Sequence, residues 1–309
     1  MAEPTTNEIT VLTSVPPHMS RSVAGLEVGE DHQRNCIASW GALSTRVISI
    51  NPEAEADRVG HMFPDLRVVS VPDTTDAALS RPLLRFNDLL EVAASHSEVI
   101  AILNADILIR DGEQVARTLA QVGPGRAVVA HRLDVVDPDS ASGAVCMLGI
   151  DLIALHRSDL QRIRSTVPLY LGAPWWDYHV LGALVLQGFE IGFVASEHVI
   201  HLAHGGGWDK TLWDAIGIRF GRDLLARAGT LPTTGMRPDA RRFLKVLKAF
   251  GTRVRRRQRP AWKATIREAV GIDPGRLGTD DLHLFSNLFP DLAGQLAGRH
   301  RGRTSGRPA

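Results

Sequence analysis

From residue 8 onward, short apolar runs rich in β-branched residues alternate with stretches of helical spacing. EITVLT (8–13), RVISI (46–50), RVVSV (67–71) and EVIAIL (98–103) each have the length and continuous apolar character of a buried strand. Between them, DHQRNCIASWGAL (31–43) repeats apolar residues at helical intervals through Cys36, Trp40 and Leu43, and residues 53–62 and 81–95 also read as helices. Strands that are apolar on both sides need helices over both faces, so this βαβαβαβ order predicts an α/β fold with a mostly parallel, Rossmann-like sheet.

After residue 111 the pattern loosens. A helix is expected over 111–122, a strand over 126–131 and, after the turn-rich DVVDPDSASG, another strand over 144–150. Ser158 and Gln161 have capping-box spacing and predict a short helix. In LGAPWWDYHVLGALVLQG, Pro174 suits a helix's first turn and Gly188 its C-terminal cap. FEIGFVASEHVIHL supplies one or two strands and leads into Gly205, Gly206 and Gly207. Past Pro232 the sequence predicts a basic helix at about 238–257, a short helix at 262–270 and a disordered tail from Gly298. Residues 1–232 therefore form one domain and 233–309 a basic helical C-terminal extension.

Composition narrows the class. With 44% hydrophobic and 22% charged residues the chain reads as an ordinary soluble protein, and it lacks the ~18-residue uncharged apolar run that a membrane span needs. MAEPTTNEIT has neither a basic n-region nor an apolar h-region, so no signal peptide is expected. Cys36 and Cys146 are the only cysteines, which points to a reducing, cytoplasmic setting. The net charge of +1 conceals ten basic residues and no acidic one between Arg241 and Lys263. That stretch reads either as a solvated helix face or, with Phe243, Leu244, Leu247 and Phe250 among the charges, as an element resting on the anionic inner face of the plasma membrane. It carries no nucleic-acid-binding motif, and no nucleic acid partner is expected.

Polar residues collect at the carboxyl ends of the expected strands, where ligands bind in open α/β sheets. Thr13 follows the first strand, Asn51 and Glu53 the second, Asp73 the third, and Asn104 and Asp106 the fourth. There is no Walker A sequence, and no G-x-G-x-x-G follows the first strand. Asp106 interrupts the run AILNADILIR, where an ionised carboxylate is costly without compensation. It is either a turn or cap residue or an oxygen ligand for Mg²⁺ or Mn²⁺. His201 and His204, beside the three glycines, are either structural or further metal ligands. Asp177 is either a helix cap or a general base, lying below two indoles, Trp175 and Trp176, that suit the apolar face of a sugar.

In their order along the chain, N-A-D at a strand end, W-W-D at a helix start and H-x-x-H after a strand resemble GT-A-type nucleotide-diphosphosugar glycosyltransferases, closest to bacterial family-2-like members, over residues 8–212. The resemblance implies a GT-A catalytic domain that uses Mn²⁺ or Mg²⁺ to move a sugar from a nucleotide-sugar donor to a hydroxyl acceptor, whether a glycan, a lipid-linked molecule or a small molecule. By position, Asp106 matches the last acid of D-x-D, and Asn104 replaces its first acid. Asp177 matches the base of inverting members, and His201 or His204 the late metal-binding histidine. Thr13, Asn51, Glu53 and Asp73 match positions around the base and ribose, Arg85 and Asn87 a region near the diphosphate, and Trp175 and Trp176 would meet the acceptor. Two other readings remain open, a sugar nucleotidyltransferase and a catalytically inactive nucleotide-sugar-binding protein.

Overall fold

The structure, a computed structural model, describes residues 8–230 apart from 45, 141, 147–149 and 205–209, together with residue 241. The expected C-terminal helices and tail, and the basic segment 241–263 beyond its first residue, lie outside the described residues.

In chain order the elements are β1 (Ile9–Thr13), a hairpin of β2 (Ser22–Val23) and β3 (Leu26–Glu27), α1 (Gly29–Trp40), β4 (Val47–Pro52), α2 (Glu53–Met62), β5 (Arg67–Val71), α3 (Phe86–Ala93), β6 (Val99–Leu103), β7 (Ile107–Ile109) and α4 (Gly112–Leu119). There follow β8 (Arg126–Ala130), β9 (Leu133–Val135), β10 (Ala144–Val145), β11 (Leu152–His156), a 3₁₀ helix (Arg157–Ile163), α5 (Trp176–Leu186), β12 (Glu190–Phe193), a short 3₁₀ turn (Ser196–His198), β13 (Val199–Leu202) and α6 (Lys210–Thr230).

Seven strands form the main sheet in the order β12-β8-β11-β6-β1-β4-β5. Its pairings are parallel except those of β11, which runs antiparallel to both β6 and β8. The side-chain period of two divides β6 between two cores. Ile100 and Ile102 join one with α3, α5 and α6, whereas Val99, Ala101 and Leu103 join the other with α1, α2 and α4. This is the expected α/β fold with helices on both faces, and it explains the unbroken apolar runs. Each fully buried aliphatic side chain contributes roughly 1.5–3 kcal/mol of transfer free energy to those layers.

A second sheet, β10-β9-β13-β7, lies in the second half of the domain except for β7. In β13, His201 lies across from Ile107 of β7 on one side and from Asp134 of β9 on the other. The residue before Ile107 is Asp106, so strand register brings together residues 95 positions apart.

Several expected boundaries move. The strand placed at 144–150 is only β10, and the longer strand that follows is β11. The helix placed at 81–95 starts at Phe86, because Pro82 disfavours helix at Arg81 and Arg85 has an extended backbone. Pro174 precedes α5 instead of opening it: Trp175 is the residue before the helix, in a left-handed conformation at φ 82°. Gly188, at φ 73°, follows the helix end, and a glycine adopts that conformation without the strain a Cβ would bring.

Candidate functional site

A cavity of about 470 Å³ opens at the carboxyl ends of β1 and β6. Its wall combines Arg21 from the loop after β1, Asn104 and Asp106 from the β6–β7 turn, Arg132, Trp176, and the pair His201 and His204.

Asp106 answers the question its sequence context raises, because two polar side chains face its carboxylate. Its Oδ2 accepts from Arg21 Nη2 at 2.7 Å and lies 3.3 Å from His201 Nε2. Its backbone carbonyl is 3.3 Å from His32 Nε2. Burial alone would raise the carboxyl's pKa. The hydrogen bond and charge of His201, with the charges of Arg21 and Arg132, reverse that effect and hold it well below the usual carboxylate range.

The histidines are held from behind. His201 Nδ1 lies 2.7 Å from Asp134 Oδ1, and a proton shared there leaves Nε2 directed at Asp106. Arg132 binds Asp134 at 2.8 Å and Asp151 at 3.0 Å, and Asp151 in turn accepts 2.8 Å from the Asn104 amide. The ring of His204 lies edge-on to that of His201, with centroids 5.1 Å apart. Burial, followed by the neighbouring Arg21 and His201, lowers the pKa of His204 and favours a neutral ring able to ligate. One ligand atom from each of Asp106, His201 and His204 lies within 4.8 Å of the others. A carboxylate oxygen and two imidazole nitrogens suit a divalent first-row cation.

Asp177 follows Trp176 in the first turn of α5 and is not among the residues that line the cavity. Its Oδ2 accepts from the Ile150 amide at 3.2 Å. Burial pushes its carboxyl up to about 7; the Ile150 amide opposes the rise and the negative charge of Asp151 adds to it.

The other expected residues divide. Trp176 lines the cavity, but Trp175 does not serve as the second platform. Trp175 turns into the core, 2% exposed, stacked on Phe220 at 5.0 Å and donating 3.0 Å to the carbonyl of Trp213 in α6. Asn104 reaches the cavity while its amide ties β6 to Asp151. The side chains of Thr13, Asn51, Glu53, Asp73, Arg85 and Asn87 are not brought to the cavity wall. Asn51 is fully buried, accepting from Ser49 and donating 2.8 Å to the carbonyl of Val15. Thr13 is buried in β1. Glu53 is exposed at the start of α2, and Asp73 accepts from the Ala54 amide there. Arg85 pairs with Asp88, and Asn87 exchanges hydrogen bonds with the backbone of Ser165. Arg21, Arg132, Asp134 and Asp151 hold the site without having been singled out as its residues from the sequence.

No protein-family description matches the chain, and no curated protein matches it. Among solved structures it is similar to a mannosyltransferase from Pyrobaculum calidifontis in complex with GDP-Man and Mn²⁺, at 14% identity and TM-score 0.44, covering 93% of this chain and 87% of that one. It is also similar to glucosyl-3-phosphoglycerate synthase from Mycobacterium tuberculosis in complex with Mg²⁺ and UDP, at 17% identity and TM-score 0.43, covering 74% and 82%. A third likeness is to 4-diphosphocytidyl-2C-methyl-D-erythritol synthase from Anaerococcus prevotii, at 10% identity and TM-score 0.39, covering 62% and 91%.

Proposed function

We propose that the protein is a metal-dependent glycosyltransferase that moves a sugar from a nucleotide-diphosphate sugar to a hydroxyl acceptor, with inversion at the anomeric carbon. The observation that carries this reading is the Asp106, His201 and His204 cluster in the wall of a cavity at the strand ends. Its two imidazoles favour Mn²⁺ over Mg²⁺, which prefers oxygen ligands. When bound, the cation would act as a Lewis acid toward the charge that builds on a departing nucleoside diphosphate.

The chain's own residues do the rest. Asp134 and Arg132 fix the ring of His201. Trp176 offers an apolar face to the sugar. Asp177 is proposed to take the acceptor hydroxyl's proton, and its carboxyl titrates where such a base works best near neutral pH.

A thermal-shift screen of UDP-, GDP-, CMP- and dTDP-sugars with and without Mn²⁺ tests the reading. One diphosphate class is expected to raise Tm by roughly 5–10 °C at saturating ligand, and only with Mn²⁺. A shift from CMP-sugars alone, or none at all, counts against diphosphate-sugar recognition. Pyrophosphate release from a nucleoside triphosphate and a sugar phosphate would move the assignment to a nucleotidyltransferase.

Asp134→Asn is expected to weaken Mn²⁺ binding about 10- to 100-fold, by releasing the ring that the carboxylate orients. Titration calorimetry with MnCl₂ measures this. Unchanged affinity would mean that His201 is not oriented through Asp134.

A further inference from the structure

We infer that Arg21 is a resident counter-ion of the cation site: it occupies Asp106 in the metal-free protein and turns to the donor's phosphates once a cation takes that carboxylate. The inference rests on the metal-site reading above. Its basis is that the Asp106 oxygen facing His201 Nε2 at 3.3 Å is the same Oδ2 held by Arg21 Nη2 at 2.7 Å. A single carboxylate charge cannot compensate a divalent ion and a guanidinium together.

Of the three arginines lining the cavity, the other two have carboxylates of their own. Arg81 pairs with Glu55, and Arg132 with Asp134 and Asp151. Arg21 depends on a ligand of the cation cluster. Its side chain is only 12% exposed, and its Nε is buried without a hydrogen-bond partner, so it still has donor capacity.

The backbone of Arg21 is fixed. Its amide donates to Glu27 Oε1 at 2.8 Å, its carbonyl accepts from Val28 at 2.7 Å, and Glu27 also holds the Gly29 amide. The hairpin therefore anchors residue 21, and the guanidinium, whose Nη1 also donates to the carbonyl of the adjacent Ser20 at 2.8 Å, is the part that can turn away from Asp106. A guanidinium released beside a divalent cation matches a diphosphate, whose oxygens accept paired hydrogen bonds. Arg21 would thus oppose the cation and assist the nucleotide, and the two couplings have opposite signs. A merely structural arginine would weaken both or neither.

Calorimetry on the full chain tests this, with MnCl₂ titrated into wild type and Arg21→Gln, and UDP or GDP titrated into each at saturating Mn²⁺. In Arg21→Gln, Mn²⁺ is expected to bind about tenfold more tightly and the preferred diphosphate about tenfold more weakly, the scale of one charge-assisted hydrogen bond. Mn²⁺ affinity that is unchanged or reduced in the variant, while wild type binds Mn²⁺, overturns the exchange and leaves the metal site standing. If neither protein binds Mn²⁺, the metal site itself falls, and the inference falls with it. Should Arg21→Gln not fold, Arg21→Lys carries the test: it keeps a cation but loses the planar fork, so diphosphate binding should still fall several-fold. Wild-type diphosphate affinity in Arg21→Lys would overturn the proposal.

Discussion

Asp106→Ala is expected to remove the Mn²⁺ dependence of nucleotide-sugar binding and to lower sugar transfer by about three orders of magnitude. The size follows from what this carboxylate does. It is the one anionic member of the described cation cluster, and neutral imidazoles alone leave a divalent ion's charge largely unmet. The loss of a charge-stabilising group at a departing diphosphate is on the scale of about 10²–10³ in rate for a single donor, and a metal ligand exceeds that. The substitution also leaves Arg21 partly buried without its carboxylate, so any remaining nucleotide binding should persist equally with EDTA or Mn²⁺. A transfer assay run beside the thermal-shift screen reads both effects. A Tm increase in Asp106→Ala that still requires Mn²⁺ would place the cation elsewhere.

The sequence made this centre legible only in part, for physical reasons. Asp106 showed itself because a charge in a buried run demands compensation, and His201 because a strand end beside glycines is a place for ligands. The same argument applied to HRLDVV would have singled out Asp134, whose carboxylate lies between Leu133 and Val135 in β9. Its pairing with His201 depends on strand register across 67 residues, which local periodicity does not contain.

The four parallel strands from β1 to β6 were readable because both of their faces are covered. β11 escaped because the helix signal at Ser158 follows it directly, and because an antiparallel strand inserted among parallel ones leaves no local mark. Trp175 was misread because α6, far along the chain, covers it. Asn51 reads as a ligand-facing group at a strand end, and Ser49 lies two residues before it on the same strand. Instead they hold the amide and carbonyl of Val15, and so shape the loop that delivers Arg21.

Asp177→Asn separates donor binding from chemistry. Asparagine keeps the volume and can still accept from the Ile150 amide, but it cannot take a proton. Transfer should fall about 10²- to 10⁴-fold while donor affinity with Mn²⁺ stays within about twofold. In wild type, kcat/KM should rise with pH through about 7, because the carboxyl is protonated and idle as a base below that value. Stability should move the opposite way. A carboxyl whose folded pKa is raised costs the folded state nothing at pH 3, below the unfolded value of about 3.9. It becomes a burden as pH rises toward 7, because the unfolded chain ionises first. Asp177→Asn should therefore match wild type in Tm at pH 3 and exceed it at pH 8, a gain in stability at the expense of activity. If the variant transfers sugar at the wild-type rate, or the acidic limb of kcat/KM survives in it, Asp177 is not the base, and its raised pKa reflects only its burial next to Asp151.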